Sequence, residues 1–207
     1  WKLLVKYIKQ GNIFHHVGIS VFETVVGFLG GTFLGLIVAI GLWWSEFWAK
    51  VLDPYLVMLN SLPKTALAPI IIIWVGAGYT GIIVTAITVS IVVTIMNMFV
   101  SFTAVDEDKI RLLNTFGATK LQILQKIVLP SSIPALISTL KINMGLSWVG
   151  VIVGEFLVSK AGIGYLIVYG GQVFKLDIVM MSVFILAFIS ALMYKIIAIL
   201  ENKFTRW

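Results

Sequence analysis

The chain of 207 residues has no cysteine, which excludes disulfides, thiolate chemistry and cysteine-ligated metals. It has only two histidines, His15 and His16. Being adjacent, they point in different directions on a helix and do not make a shared metal site. Charge is scarce as well: Asp, Glu, Lys and Arg make up 12% of the residues, too little polar surface for a soluble globule of this size. No Gly-x4-Gly-Lys-Ser/Thr loop is present to cradle ATP phosphates, so the chain alone is no ATPase. The pairs Gly162/Gly164 and Gly170/Gly171 lack the strand and helix that nucleotide binding needs, and are read as a bent external connection. Lys2, Lys6 and Lys9 are not followed by the short apolar stretch and small-residue site of a cleavable signal. The alternation expected of a membrane β-barrel is also missing.

What the chain does have is hydrophobicity, at 60% of its residues. Five apolar runs are long enough to cross about 30 Å of hydrocarbon. They cover Val17 to Trp44, Tyr55 to Trp74, Ile82 to Val105, Ile133 to Val158 and Ile178 to Leu200. Spans in lipid satisfy their own backbone hydrogen bonds, so the expected fold is all-α, a polytopic membrane helical bundle forming one domain over 1–207. The formal charge of +6 comes from fifteen Lys and Arg scattered among these spans rather than gathered on a face, which argues against nucleic acid. With the 106–132 loop inside, seven cations (Lys50, Lys109, Arg111, Lys120, Lys126, Lys203, Arg206) face five outside (Lys2, Lys6, Lys9, Lys160, Lys175), a weak positive-inside bias.

Within the spans, Gly27, Gly31, Gly35 and Ala39 recur every four residues, so another helix can approach that face closely, as static packing or as a moving interface. Ser90, Thr94, Asn97 and Ser101 fall in a narrow arc of the third span. Such a stripe either donates hydrogen bonds between helices and to its own carbonyls or lines a translocation path, with Asn97 the first choice because its amide both donates and accepts. Lys141, Trp148 and Glu155 follow at seven-residue steps on one face of the fourth span, with Gly150 and Gly154 beside Glu155. Ionisable residues in spans are functional candidates, although Lys141 is near enough to one end to snorkel to the interface. Glu23 is expected near the outer surface, solvated or paired. The histidines, with Trp1, Tyr7 and Phe14, read as an interfacial anchor.

The most informative stretch is polar. After Asp106-Glu-Asp-Lys-Ile-Arg-Leu-Leu-Asn-Thr-Phe comes Gly117, eleven residues follow, and then Leu129-Pro130. Gly117 can take the left-handed conformation that ends one short helix, and Thr119 with Gln122 makes a capping box that starts another. Pro130 and Pro134 place the end of that second helix where the next apolar run begins. By itself this describes either a docking element or an ordinary connector.

With that spacing, the segment resembles the cytoplasmic "EAA" loop of the permease subunits of ATP-binding-cassette (ABC) importers. The resemblance continues through Ala135 to Glu155 and on to Lys160-Ala-Gly-Ile-Gly-Tyr-Leu-Ile, in the manner of the sulfonate, taurine, nitrate and bicarbonate branch, and covers Ser20 to Glu201. In place of the family's Glu-Ala-Ala stands Arg111-Leu112-Leu113, so the family's glutamate has no counterpart.

The resemblance implies the type I ABC importer permease fold in a bacterial or archaeal cell (inner) membrane, and a sixth span upstream of Trp1. It implies that 106–132 is a coupling loop docked on an ATPase subunit through Ile110, Arg111, Leu112, Leu113, Phe116, Gly117, Ala118, Leu121 and Leu124. The path would use Ser90, Thr94, Asn97, Ser101, Lys141, Trp148 and Glu155, with Glu155 near an external gate. Implied partners are ABC ATPase subunits holding ATP and Mg, a second permease copy or paralogue, a soluble extracytoplasmic binding protein and the lipid membrane. The chain itself would bind no cofactor. The expected cargo is a small anion such as an alkanesulfonate, taurine or nitrate. The alternatives are a thiamine-precursor or riboflavin importer permease and, from another class, a stand-alone channel or secondary carrier, which should show inverted repeats and interrupted helices bearing carboxylates.

Overall fold

The computed structural model describes residues 12–204, and every regular element among them is helical. Trp1, Tyr7, Lys2, Lys6, Lys9 and Arg206 lie outside the described residues, so the anchor expected at the start and part of the charge count are not addressed. The first helix, α1 (Asn12–Trp44), is followed by α2 (Glu46–Ser61), α3 (Ala68–Val75) and α4 (Tyr79–Thr103). Short helices α5 (Glu107–Thr115), α6 (Lys120–Ile123) and α7 (Leu129–Ser131) lead to α8 (Ile133–Val158). A ten-residue α9 (Ile163–Gln172) and the long α10 (Leu176–Phe204) complete the chain.

Four of these, α1, α4, α8 and α10, are long and apolar enough to cross a membrane. The run expected as a fifth straight span, Tyr55 to Trp74, is instead broken. α2 ends at Ser61, a 3-10 turn covers Lys64–Leu67, and the segments on either side of the break bend by 88°. The cause is Pro63, whose ring pushes the preceding residue out of the helical region. Leu62 is accordingly extended, at φ −66° and ψ 139°. Pro69 then sits in the first turn of α3, where its missing N–H costs nothing.

Lipid tails are as apolar as leucine, so helices in a bilayer are held by close packing and interhelical hydrogen bonds rather than by the hydrophobic effect. The seam between α1 and α4 shows both. Cβ atoms placed on Gly27, Gly31 and Gly35 would lie 2.6, 2.0 and 2.5 Å from Ala86, Ser90 and Thr94, so the ladder is where α4 seats. α8 closes on α4 in the same way, with a Cβ on Gly150 falling 2.5 Å from Ala86 Cα. Where the three helices meet, Asn143 Nδ2 donates to Thr32 Oγ1 at 2.9 Å and to Thr94 Oγ1 at 2.7 Å, joining α1, α4 and α8 through one buried amide. Each such bond contributes about 0.6 to 2 kcal/mol in a membrane bundle.

Candidate functional site

The polar stretch at one end of the bundle is built as its residues dictate. α5 opens on Asp106, whose side chain accepts from Asp108 N–H at 2.9 Å, and Arg111 bonds Glu107 one turn earlier. It closes on Gly117 at φ +75°, with Ala118 N–H bonded to Leu113 O at 3.1 Å and Gly117 N–H to Asn114 O at 3.0 Å. This is the Schellman arrangement, which a left-handed residue makes possible. Thr119 and Gln122 then form the reciprocal capping box that starts α6. α6 does not end as a separate helix at Pro130. It widens into a π turn over Leu124–Val128 and runs into α7, and the break before α8 falls at Ser132. The widened turn relieves the clash of the Pro130 ring with the carbonyl four residues earlier.

This two-helix unit has an inner and an outer face. Leu124 is buried with Ile123 and Val128 against Ala39, Met98 and Phe102, and Ile110, Leu113 and Ala118 pack on the same cluster. Arg111, Gly117, Leu112, Leu121 and Phe116 face outward, with Phe116 78% exposed. The nine residues expected to dock therefore divide into four that seat the unit and five that present a surface. Lys120 fixes the unit sideways: its Nζ donates to Trp44 O at 2.7 Å and lies 5.5 and 5.7 Å from the rings of Trp43 and Trp44. A cation at the carbonyl end of α1 is favourable on dipole grounds. Sequence reading missed this residue because its partner is 76 positions away.

The expected path residues fare differently. Ser90 and Thr94 are fully buried, and their hydroxyls bond back to Ala86 O and Ser90 O at 3.1 Å. Within the subunit they are closed off, packed against Gly31 and Gly35 in the α1–α4 seam. Trp148 packs among Phe28, Met144, Ile163 and Ile197. Lys141 bonds the Glu201 carboxylate and lies 5.9 Å from the Tyr194 ring. Asn97 and Ser101 remain partly exposed. Asn143 and Thr32, the true polar node, were missed, although Thr139, Asn143 and Ser147 repeat every four residues in an apolar run and so carried a signal.

Glu155 lies at the opposite end of the bundle and is buried. Its Oε1 accepts the Ser20 hydroxyl at 2.5 Å, and its Oε2 accepts Gly164 N–H at 2.5 Å. The expected bent connection is in fact helix α9, and Gly170 and Gly171 lie inside it. His16, expected to be an interfacial anchor, accepts Gly162 N–H at Nδ1 (3.0 Å) and stacks on Tyr165. Glu23 is not solvated. It is fully buried beside the Glu155 carboxyl group.

A family model described as binding-protein-dependent transport system inner membrane component matches residues 31–206. A Bacillus subtilis (strain 168) protein named for aliphatic sulfonates transport, the permease SsuC, is 28% identical over 97% of this chain and 72% of its own length. The taurine transport system permease protein TauC of Escherichia coli (strain K12) is 23% identical over 96% of this chain and 72% of its own. Among solved structures, a chain of the MetNI methionine ABC transporter in an inward-facing conformation matches with a TM-score of 0.80 at 18% identity, covering 92% of this chain and 95% of that one, which establishes the fold.

Proposed function

Since the chain belongs to the family of binding-protein-dependent transport system inner membrane components, and is thus a multi-pass ABC importer permease and not an enzyme, we propose that its importer carries a small organic sulfonate, with ATPase subunits docked on the outer face of α5 and α6. The observation that carries the docking site is the division of that unit into a seated face and a presented one. A plain connector has no need of a Schellman stop, a capping box and a lysine tether to aim one exposed phenylalanine. ATP and Mg belong to the partner subunits. Their closure moves Phe116, Leu112 and Leu121, and the seated residues Ile110, Leu113, Ala118 and Leu124 pass the displacement to the inner ends of α1 and α4.

A second copy of the chain or a similar subunit completes the path. The broken α2–α3 unit offers a large apolar surface for it, with Ile73 79% and Trp74 83% exposed. The path runs over Asn97 and Ser101, the members of the polar stripe that reach the surface. The sulfonate assignment is supported by what SsuC and TauC are named for, and competitive uptake tests it. In cells depending on this complex, an alkanesulfonate and taurine should compete for uptake, and nitrate or a vitamin precursor should not. Uptake of the vitamin precursor alone overturns the assignment.

The path makes a separate prediction. Asn97→Cys should react with a small water-soluble thiol reagent, at a rate that changes when nucleotide is trapped on the complex, because alternating access opens the cavity to one side at a time. Thr94→Cys, one turn earlier but sealed in the α1–α4 seam, should stay unreactive. Equal reaction at both sites would show that the seam opens and that the path lies there.

A further inference from the structure

The end of the bundle away from α5 carries a second built arrangement. The first backbone N–H groups of a helix have no partner within it. At α9 three of them are taken by side chains from two other helices: Gly162 N–H by His16 Nδ1 at 3.0 Å, Ile163 N–H by Ser20 Oγ at 2.8 Å and Gly164 N–H by Glu155 Oε2 at 2.5 Å. The Ser20 hydroxyl closes the set by donating to Glu155 Oε1. Ser20 and Glu155 are 0% and 1% exposed.

Local sequence serves the same contact. A Cβ on Gly162 would lie 2.4 Å from the Glu155 carboxyl carbon and one on Gly164 would lie 2.8 Å from its Oε2, and Gly162 stands at φ +117°, where a side chain is strained. The rings of His16, Tyr165 and Tyr169 continue the contact as a stack, 5.9 and 6.0 Å between successive centroids. Ordinary helix caps come from the helix's own neighbouring residues. This one spans α1, α8 and α9, with partners up to 146 positions apart.

We propose that Glu155, Ser20 and His16 form a clamp that holds α9 as the lip of the path at the end opposite the ATPase, and that Glu155 is a positioning residue for transport. Glu155 touches no solute, since it is enclosed. It acts through α9 on the turn that follows it, where Phe174 is 92% exposed and Leu176, the first residue of α10, is 73% exposed. Fixing the near end of a ten-residue helix fixes where those residues stand. At this end a soluble partner delivers solute, so the clamp decides whether that partner's arrival is felt by α1 and α8. This role rests on the importer reading, but the placement of α9 can be measured independently of it.

The test uses the assembled complex in lipid nanodiscs. Spin labels at Phe22→Cys and Lys175→Cys report the distance from α1 to the turn that follows α9, and the native chain has no cysteine to interfere. Glu155→Ala should broaden that distance distribution and reduce the stimulation of ATP hydrolysis by the importer's binding protein about tenfold, the scale of a typical coupling between sites. Glu155→Gln should restore both, because its amide oxygen accepts from Gly164 while its NH2 donates to Ser20. Ser20→Ala, a smaller change, should show the same two defects if Glu155→Ala fails to assemble. An unchanged distance in the assembled alanine variants overturns the clamp. A broadened distance with normal stimulation overturns its role in transport. Loss of ATP hydrolysis in the unsubstituted complex speaks against the importer reading instead.

Discussion

Gly117→Val is expected to abolish ATP-driven uptake while leaving the spans inserted and folded. A Cβ at this position meets no atom within 4 Å, so the damage is conformational rather than a clash. At φ +75° a non-glycine residue costs about 1–2 kcal/mol, and a β-branched one is a genuine outlier. The chain escapes that cost by leaving the left-handed region, which breaks the two Schellman bonds and turns Phe116 away from the outward position it holds. Phe116→Ala is the companion test, since it keeps the backbone and removes the exposed anchor. Truncating a central aromatic anchor costs on the order of 2 kcal/mol or more, roughly thirtyfold in affinity for the partner. Both variants should lower copurification of the ATPase subunit and uptake together. Uptake at the native level in Gly117→Val, with the partner still bound, would remove α5–α6 from the coupling route.

The second large effect is on assembly of the bundle. Gly150→Val should leave little folded subunit, because its Cβ would stand 2.5 Å from Ala86 Cα and 3.1 Å from Ala86 N, backbone atoms that cannot rotate away. Relief requires α8 to move off α4, which opens the seam around Ala86 and Val151 and stretches the bonds of Asn143 to Thr32 and Thr94. Overpacking of this kind costs about 1–3 kcal/mol even where side chains can yield, and here they cannot. Gly145→Ala is the internal control, since a Cβ there meets nothing within 4 Å and the residue is exposed. Size-exclusion profiles of the purified complexes read the difference. Monodisperse Gly150→Val complex at native yield would mean that α4 and α8 do not pack this closely in the membrane.

Features governed by local chemistry were legible in the sequence. The left-handed Gly117, the Thr119–Gln122 box and the glycine ladder each follow from residues within a few positions of one another, and the structure contains all three. The four long spans follow from apolar length alone. The bend at Pro63 was written in the sequence as well, but the hydropathy of the surrounding run concealed it.

The candidate path was harder to read because hydroxyls in a membrane helix have two uses with the same spacing. Ser90 and Thr94 can bond their own carbonyls as readily as they can face water, and only the position of α1 decides between these. The bonds from His16 and Ser20 to the start of α9 and the Lys120 tether join residues 76 to 146 positions apart, and no periodicity signals such a pairing. Glu155 was singled out for being ionisable in a span, but its partners are Ser20 and the backbone of α9.

The most direct measurement of the account is site-specific cross-linking to the ATPase subunit from the two faces of the α5–α6 unit. With a short photoreactive thiol reagent, Phe116→Cys and Leu121→Cys should cross-link to that subunit in the native membrane, and Ile110→Cys and Leu124→Cys, which seat the unit on the bundle, should not. Cross-linking from the inner pair, or from neither pair in a complex that still transports, would contradict the assignment of α5–α6 as the element through which ATP hydrolysis reaches the path.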